Sequence, residues 1–219
     1  MNEARTIRVT GSGMIRLKPD TMRITLTIEG VCPEYGMTLV YSASDSARFR
    51  EALMTVGFAR EDLKTLNFNV RPEYEDYQEE GVYKRRLVGF RSRHELSVAF
   101  PSDNERLGHI LAAIAGTGLS PEISIGYTVQ NRETAKNALL GMAVADAKAK
   151  AEALTSAAGV KLLGIRHINY AIDENAFAVH PVVLHAGAAR KMCADNAAPE
   201  IVPEEITAED TVTVVWAIE

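Results

Sequence analysis

Cysteine is scarce in this chain, since only Cys32 and Cys193 occur among its 219 residues. Two thiols so far apart in the sequence form no CxxC motif, and a single pair supplies no disulfide framework. Their low number favours a reducing compartment over an oxidising one.

Long apolar runs are missing as well. No stretch approaches the roughly 20 apolar residues that a membrane-spanning helix needs, so we expect no membrane span. The N-terminal residues MNEARTIRVTGSG contain no apolar run of the kind found in a secretory signal. As written, the sequence predicts a cytoplasmic protein, whereas a chain that had lost its leader would be periplasmic or otherwise exported.

An excess of positive charge is the third absence. The net charge is −5 and the isoelectric point is near 5.6, so binding to nucleic acid or to an anionic membrane has no electrostatic support at the level of the whole chain. We therefore expect no nucleic-acid partner. Basic residues do cluster at Lys84, Arg85 and Arg86, followed by Arg91 and Arg93. The apolar positions between them indicate the solvated face of a strand.

Alternation of apolar and polar residues is the clearest pattern that the sequence does contain. Between positions 21 and 29 every even residue is apolar, which predicts a strand with one buried face. The same pattern lies on both sides of the GSG at 11–13 and predicts a strand interrupted by a bulge or turn. Two alternating arms from Leu66 to Phe100, joined at Glu79-Glu80-Gly81, predict a long hairpin. Further strands are predicted near 123–129, 160–172 and 211–218, the last pairing with the first.

Three helices are predicted from periodicity and caps. The first ends at Gly57, the second opens with Ser102 and Glu105 in capping-box spacing, and the third runs between Asn131 and Gly159. The residues expected on the first helix stripe are Leu39, Ala43, Ala47, Arg50 and Met54; on the second, Leu107, Ile110, Leu111 and Ile114; and on the inward face of the third, Ala138, Met142, Ala145, Ala149 and Ala153. The prediction is a single α+β domain over 1–219, with antiparallel sheets covered by about three helices and an irregular loop at 173–205.

Five segments together resemble the SIMPL-domain family, the group that contains bacterial periplasmic immunogenic antigens and YggE-type oxidative-stress proteins. They are IRVTGSGMIRLKPDTMRITLTIEG, GFAREDLKTLNFNVRPEYEDY, GFRSRHELSVAF, DAKAKAEALTSAAGVKLLGI and TAEDTVTVVWAIE. The resemblance implies an α+β fold, a tendency towards ring-like or channel-like homo-oligomers, and an association with oxidative-stress tolerance. It implies no catalytic residues.

The segment HPVVLHAGAARKMC contains the candidate metal ligands His180, His185 and Cys193. Imidazole and thiolate suit zinc, which takes three or four such donors in a tetrahedral arrangement. The spacing matches no zinc-finger signature, and a fourth ligand would have to come from Asp195 or the distant Cys32. An ordinary loop is therefore favoured and no cofactor is predicted. Arg190 and Lys191 would favour a thiolate at Cys193, but an inert surface cysteine is the preferred interpretation.

Two other groups of residues bear on function. Tyr74, Tyr77 and Tyr83 lie in the charged hairpin tip, where amphipathic rings favour contact with a protein partner. His94 is in phase with the apolar residues of its strand, which predicts a hydrogen-bonded core histidine and not a general base. No serine or cysteine lies at a spacing that suggests a triad.

Two functions of different class follow. The favoured hypothesis is a non-enzymatic, oligomerising scaffold protein whose hairpin tip and 173–205 loop contact other subunits or a protein partner, with a link to oxidative-stress tolerance taken from the family resemblance. The alternative is a small-ligand or metal-binding protein that uses the same loop. An enzyme is not predicted, because no acid and base are paired at a suggestive spacing.

Overall fold

A computed structural model describes residues 5–170, 182–184 and 203–219, with the backbone alone for 182–184. In chain order the elements are β1 (Thr6–Leu17), β2 (Thr21–Cys32), α1 (Tyr35–Thr55), β3 (Lys64–Glu79), β4 (Val82–Pro101), α2 (Asn104–Gly116), β5 (Glu122–Thr128), α3 (Arg132–Ala158), β6 (Leu162–Tyr170), β7 (Val182–Leu184) and β8 (Ile206–Ile218). Two antiparallel sheets and three helices confirm the predicted α+β class.

The described residues form two compact units. Unit 1 contains 5–20, 128–170 and 203–219, and unit 2 contains 21–127 and 182–184. The organisation of the whole chain as one domain therefore stays a prediction.

Unit 1 is a three-stranded sheet in the order β1-β8-β6, with α3 packed on one face. β1 and β8 pair antiparallel without interruption from Thr6 opposite Ala217 to Leu17 opposite Ile206. This register confirms the predicted pairing of the first and last strands. Buried Val9, Val212 and Val214 form the sheet side of the core.

The helix side of that core is built mainly from alanine. The buried α3 residues are Ala135, Leu139, Ala143, Ala147, Ala151 and Thr155. The prediction of a small inward face is confirmed, but the predicted residues were wrong, because Ala138, Met142, Ala145, Ala149 and Ala153 are all exposed. Alanine occurs on several sides of this helix, so periodicity alone does not identify which side packs. The predicted caps are confirmed: Asn131 accepts a hydrogen bond from the Thr134 amide, and Gly159 ends the helix with φ 66°.

The GSG motif allows α3 to approach β1 closely. A Cβ atom on Gly11 would overlap the carbonyl oxygen of Ala143 and the amide nitrogen of Ala147, and one on Gly13 would overlap the carbonyl oxygen of Leu139. The register with β8 continues unbroken through these residues, so the predicted interruption by a bulge or turn was wrong. The Ser12 amide also donates a 2.8 Å hydrogen bond to Oδ2 of Asp146 on α3.

Unit 2 is a five-stranded sheet in the order β3-β4-β2-β5-β7. The predicted long hairpin is confirmed as β3 and β4, and it turns at Glu80 and Gly81, whose φ angles of 51° and 79° are left-handed. The short β7 lies inside the segment predicted as a loop and pairs antiparallel with Ile123–Ile125 of β5.

The helices α1 and α2 belong to unit 2. The buried face of α2 is the predicted one, Leu107, Ile110, Leu111 and Ile114. Its cap is Asp103 and not Ser102, because Oδ1 of Asp103 accepts hydrogen bonds from the amides of Glu105 and Arg106 at 2.9 and 3.2 Å. The buried face of α1 differs from the prediction and is described with the site below.

The contact between β1 and α3 leads to a stability prediction. Gly11→Ala should lower the free energy of unfolding by about 3 kcal/mol, because the added methyl group has to push two packed backbones apart. Gly141→Ala is the matched control, since its Cβ would meet nothing within 4 Å. We expect this variant to have a free energy of unfolding higher by about 0.5–1 kcal/mol, because alanine favours an exposed helix interior over glycine. Urea unfolding followed by circular dichroism measures both variants. Equal stabilities for the two would contradict the proposed role of Gly11.

Candidate functional site

The first half of α1 turns hydroxyl groups towards the sheet. Thr38, Ser42 and Ser46 are buried there, and the apolar residues Phe49 and Leu53 take over only in the second half. The predicted stripe of Leu39, Ala43, Ala47, Arg50 and Met54 was wrong, and Leu39 and Met54 are exposed. This helix therefore packs through small polar side chains over about two turns.

His94 of β4 lies beneath these hydroxyls and is only 9% exposed. Its Nδ1 is 3.1 Å from Oγ of Ser42, and its Nε2 is 3.2 Å from Oγ1 of Thr65 on β3. The Phe68 ring meets the imidazole edge-on, with 5.0 Å between the ring centroids. The predicted hydrogen-bonded core histidine is thus found.

Its two partners were missed because they lie 52 and 29 residues away in the sequence. One signal was available, namely the hydroxyl residues Thr38, Ser42 and Ser46, which recur at intervals of four in the sequence of this helix. Serine and threonine lower helix propensity, so a repeated stripe of them indicates a specific contact.

The surroundings of His94 favour the neutral imidazole. Burial is the main cause that lowers the pKa of His94, the positive charge of Arg50 lowers it further, and a hydrogen bond with the backbone of Ser42 opposes both. A neutral imidazole has one donor and one acceptor nitrogen, so the two neighbouring hydroxyls must play opposite roles. A hydroxyl takes the place that a carboxylate holds in a catalytic triad, and it cannot stabilise an imidazolium in the same way. The arrangement does not favour general-base chemistry.

A cavity of about 360 Å³ opens between α1 and the two strands of the hairpin. Its apolar walls are Leu39, Ala43 and Phe68. Its polar lining consists of Ser42, Ser46, Thr65 and His94.

Arg50 borders this cavity through Ser46. Its Nη1 donates a 3.0 Å hydrogen bond to Oγ of Ser46, whose own proton goes to the carbonyl oxygen of Ala43 at 3.1 Å. A positive charge is therefore held next to a cavity whose lining side chains are themselves uncharged.

The metal candidates His180, His185 and Cys193 lie outside the described residues, as does most of the 173–205 segment. Among the residues that the structure does describe, no group of three or more histidine, cysteine or acidic side chains is placed to hold a metal ion. Within the same residues, no helix is long and apolar enough to cross a membrane.

Two of the three candidate tyrosines of the hairpin stack with arginines. The guanidinium carbon of Arg85 lies 4.5 Å from the ring centroid of Tyr74, and that of Arg86 lies 5.4 Å from the ring centroid of Tyr77. Tyr83 is 81% exposed. Tyr83 consequently offers the most accessible ring, and contact of all three with a partner stays a prediction.

The environment of His94 leads to a prediction about pH. Unfolded chains bind the proton near the ordinary pKa of 6.5, and the folded protein binds it only at lower pH, so stability is lost as pH falls below about 6.5. His94→Gln keeps a polar group but cannot titrate, and we expect it to show a smaller loss of unfolding free energy between about pH 7.5 and pH 5.5. Urea unfolding at both pH values measures the difference. His109→Gln, which removes an exposed imidazole from α2, should retain the wild-type dependence, and an unchanged dependence in His94→Gln would contradict the prediction.

Comparison with known proteins agrees with the resemblance seen in the sequence. Residues 7–216 match the SIMPL family, which is described as "Protein of unknown function (DUF541)". The chain is also 23% identical over 214 residues to the "Uncharacterized protein YggE" of Edwardsiella ictaluri (strain 93-146), covering 98% of this chain and 87% of that protein. Neither description assigns an activity. Because the match extends over almost the entire sequence, this chain belongs to the SIMPL family.

Proposed function

We propose that this protein is a non-enzymatic scaffold that acts through self-assembly and contact with protein partners. The observation that supports this most directly is the outer surface of α1, defined as Met37, Val40 and Tyr41. These side chains are exposed because the hydroxyl residues of the same turns occupy the buried side. Adjacent apolar groups on a protein surface mark interaction sites more often than scattered ones do.

The neighbouring hairpin adds to this surface. β3 is the terminal strand of the sheet order in unit 2, and its apolar side chains Leu66 and Phe68 are exposed. A long terminal strand presents backbone donors and acceptors to another chain. Together with Tyr83 at the tip, the hairpin supplies both the apolar area and the amphipathic rings that are common in protein interfaces.

The non-enzymatic part of the proposal draws on the chemistry around His94. This histidine has hydroxyl partners and a nearby arginine, which disfavour the imidazolium that a general base would have to form. The family resemblance makes tolerance of oxidative stress the physiological setting of the proposed scaffold. The alternative, a ligand or metal site made by His180, His185 and Cys193, has no described geometry to favour it.

The test is a change of charge on the outer surface of α1. At micromolar concentration we expect the wild-type chain to form a defined multimer and Val40→Asp to form a smaller species, because a carboxylate cannot be buried in an apolar contact without a large desolvation cost. Val40 is 58% exposed, so the substitution should not disturb the fold of the free chain. Sedimentation velocity and native mass spectrometry give the mass of both.

Ser102→Asp is the matched control, since Ser102 is also an exposed residue of unit 2 but follows the end of β4 and lies outside α1. It introduces the same charge outside the apolar surface and should assemble like the wild-type chain. A monomeric wild-type protein would argue against the scaffold function itself. If the Val40→Asp variant formed an assembly of the same mass as the wild-type chain, the subunits would have to contact each other through a different surface.

A further inference from the structure

We infer that the cavity beneath α1 is a binding site for a small monocarboxylate with a compact apolar body, such as an aromatic or branched aliphatic acid. The carboxylate would lie towards Ser46 and Arg50, and the apolar body would lie against Leu39 and Phe68. None of the three residues of the outer surface of α1 lines this cavity, although Phe68 belongs both to the cavity and to the hairpin part of the proposed interaction surface. The inference does not depend on self-assembly.

The size and lining of the cavity set the first limit on the ligand. Ligand sites commonly occupy about 300–1,000 Å³ and combine apolar walls with a few polar groups. At about 360 Å³, this cavity suits a molecule with one ring or a short branched chain. The Phe68 side chain is 42% exposed, and a bound apolar group would cover part of it.

The charge next to the cavity sets the second limit. The hairpin arginines Arg86, Arg91 and Arg93 each form ion pairs with glutamates at 2.6 to 2.9 Å. Arg50 differs, because its side chain is hydrogen-bonded to the uncharged Ser46 and forms no ion pair with a carboxylate anywhere in the described chain. Guanidinium groups bind carboxylates through strong, charge-assisted hydrogen bonds. A single unpaired guanidinium beside an otherwise uncharged cavity selects one negative charge.

The hydroxyl groups of the lining set the third limit. A neutral His94 can accept a proton from only one of Ser42 and Thr65 and donates to the other. In either tautomer one hydroxyl proton is not directed at the imidazole, although both side chains line the cavity. That proton is a donor for a ligand oxygen. A carboxylate satisfies both this donor and Arg50, whereas an ammonium ion satisfies neither.

The experiment compares three probes of nearly equal size on the full chain: phenylacetate, the neutral phenylacetamide and the cationic phenethylamine. Isothermal titration calorimetry measures affinity, and NMR of the His94 imidazole reports the place of binding. We expect phenylacetate to bind about tenfold more tightly than the amide, as one charge-assisted hydrogen bond predicts, and the amine not to bind. Phenylacetate that binds no better than the amide, or without moving the His94 signals, would overturn the inference.

Two variants test separately how the charge of Arg50 and the space in the cavity contribute to binding. Arg50→Gln should remove the preference for phenylacetate and leave the affinity for phenylacetamide unchanged, while Arg60→Gln removes an exposed arginine of unit 2 and should behave as wild type. Ala43→Leu should fill the cavity and weaken both probes, since Ala43 lines it from an exposed position on α1. An unchanged preference in Arg50→Gln, or unchanged binding in Ala43→Leu, would refute the site. Sedimentation of the same samples measures the mass of the assembly, so that a change in binding can be told apart from a change in assembly.

Discussion

The hydrogen bonds of His94 to Ser42 and Thr65 hold the hydroxyl side of the first half of α1 against the sheet. A buried imidazole without partners would be costly, and the two hydroxyls supply partners from two different elements. With Ser42 held on β4, and Phe49 and Leu53 buried on the same side further along, the first half of the helix cannot rotate to bury its own apolar residues. The exposed Met37, Val40 and Tyr41 on the outside and the cavity on the inside both follow from this one arrangement.

The helix packs on its sheet through different interactions in the two units. In unit 1 glycine on the strand and alanine on the helix bring two backbones together, so the contact depends on the absence of side chains. In unit 2 the first half of α1 is held by hydrogen bonds, which are directional and leave space between the elements. Close packing of the first kind leaves no room for a ligand. The looser polar contact does leave such room.

Much of the fold could be predicted from the sequence, because alternation, turn residues and caps are local. The pairing of the terminal strands, the hairpin turn at Glu80-Gly81 and the end of α3 at Gly159 all agree with the structure. The orientation of two helices could not be predicted from apolar periodicity. The buried side of α3 depends on where Gly11 and Gly13 lie, and that of α1 depends on His94, more than 50 residues away. Both are tertiary constraints that override a local pattern.

The paired charges along the hairpin bear on how it responds to its surroundings. Arg86 with Glu75 and Lys84 with Glu79 join the strands across largely exposed faces. Two-stranded ribbons are marginal structures in water, and dissolved ions screen exposed pairs over about 8 Å at physiological ionic strength. The stiffness of this projecting arm is therefore set partly by the salt content of its medium, while the sheet at its base, held by buried hydrocarbon, is much less sensitive to it.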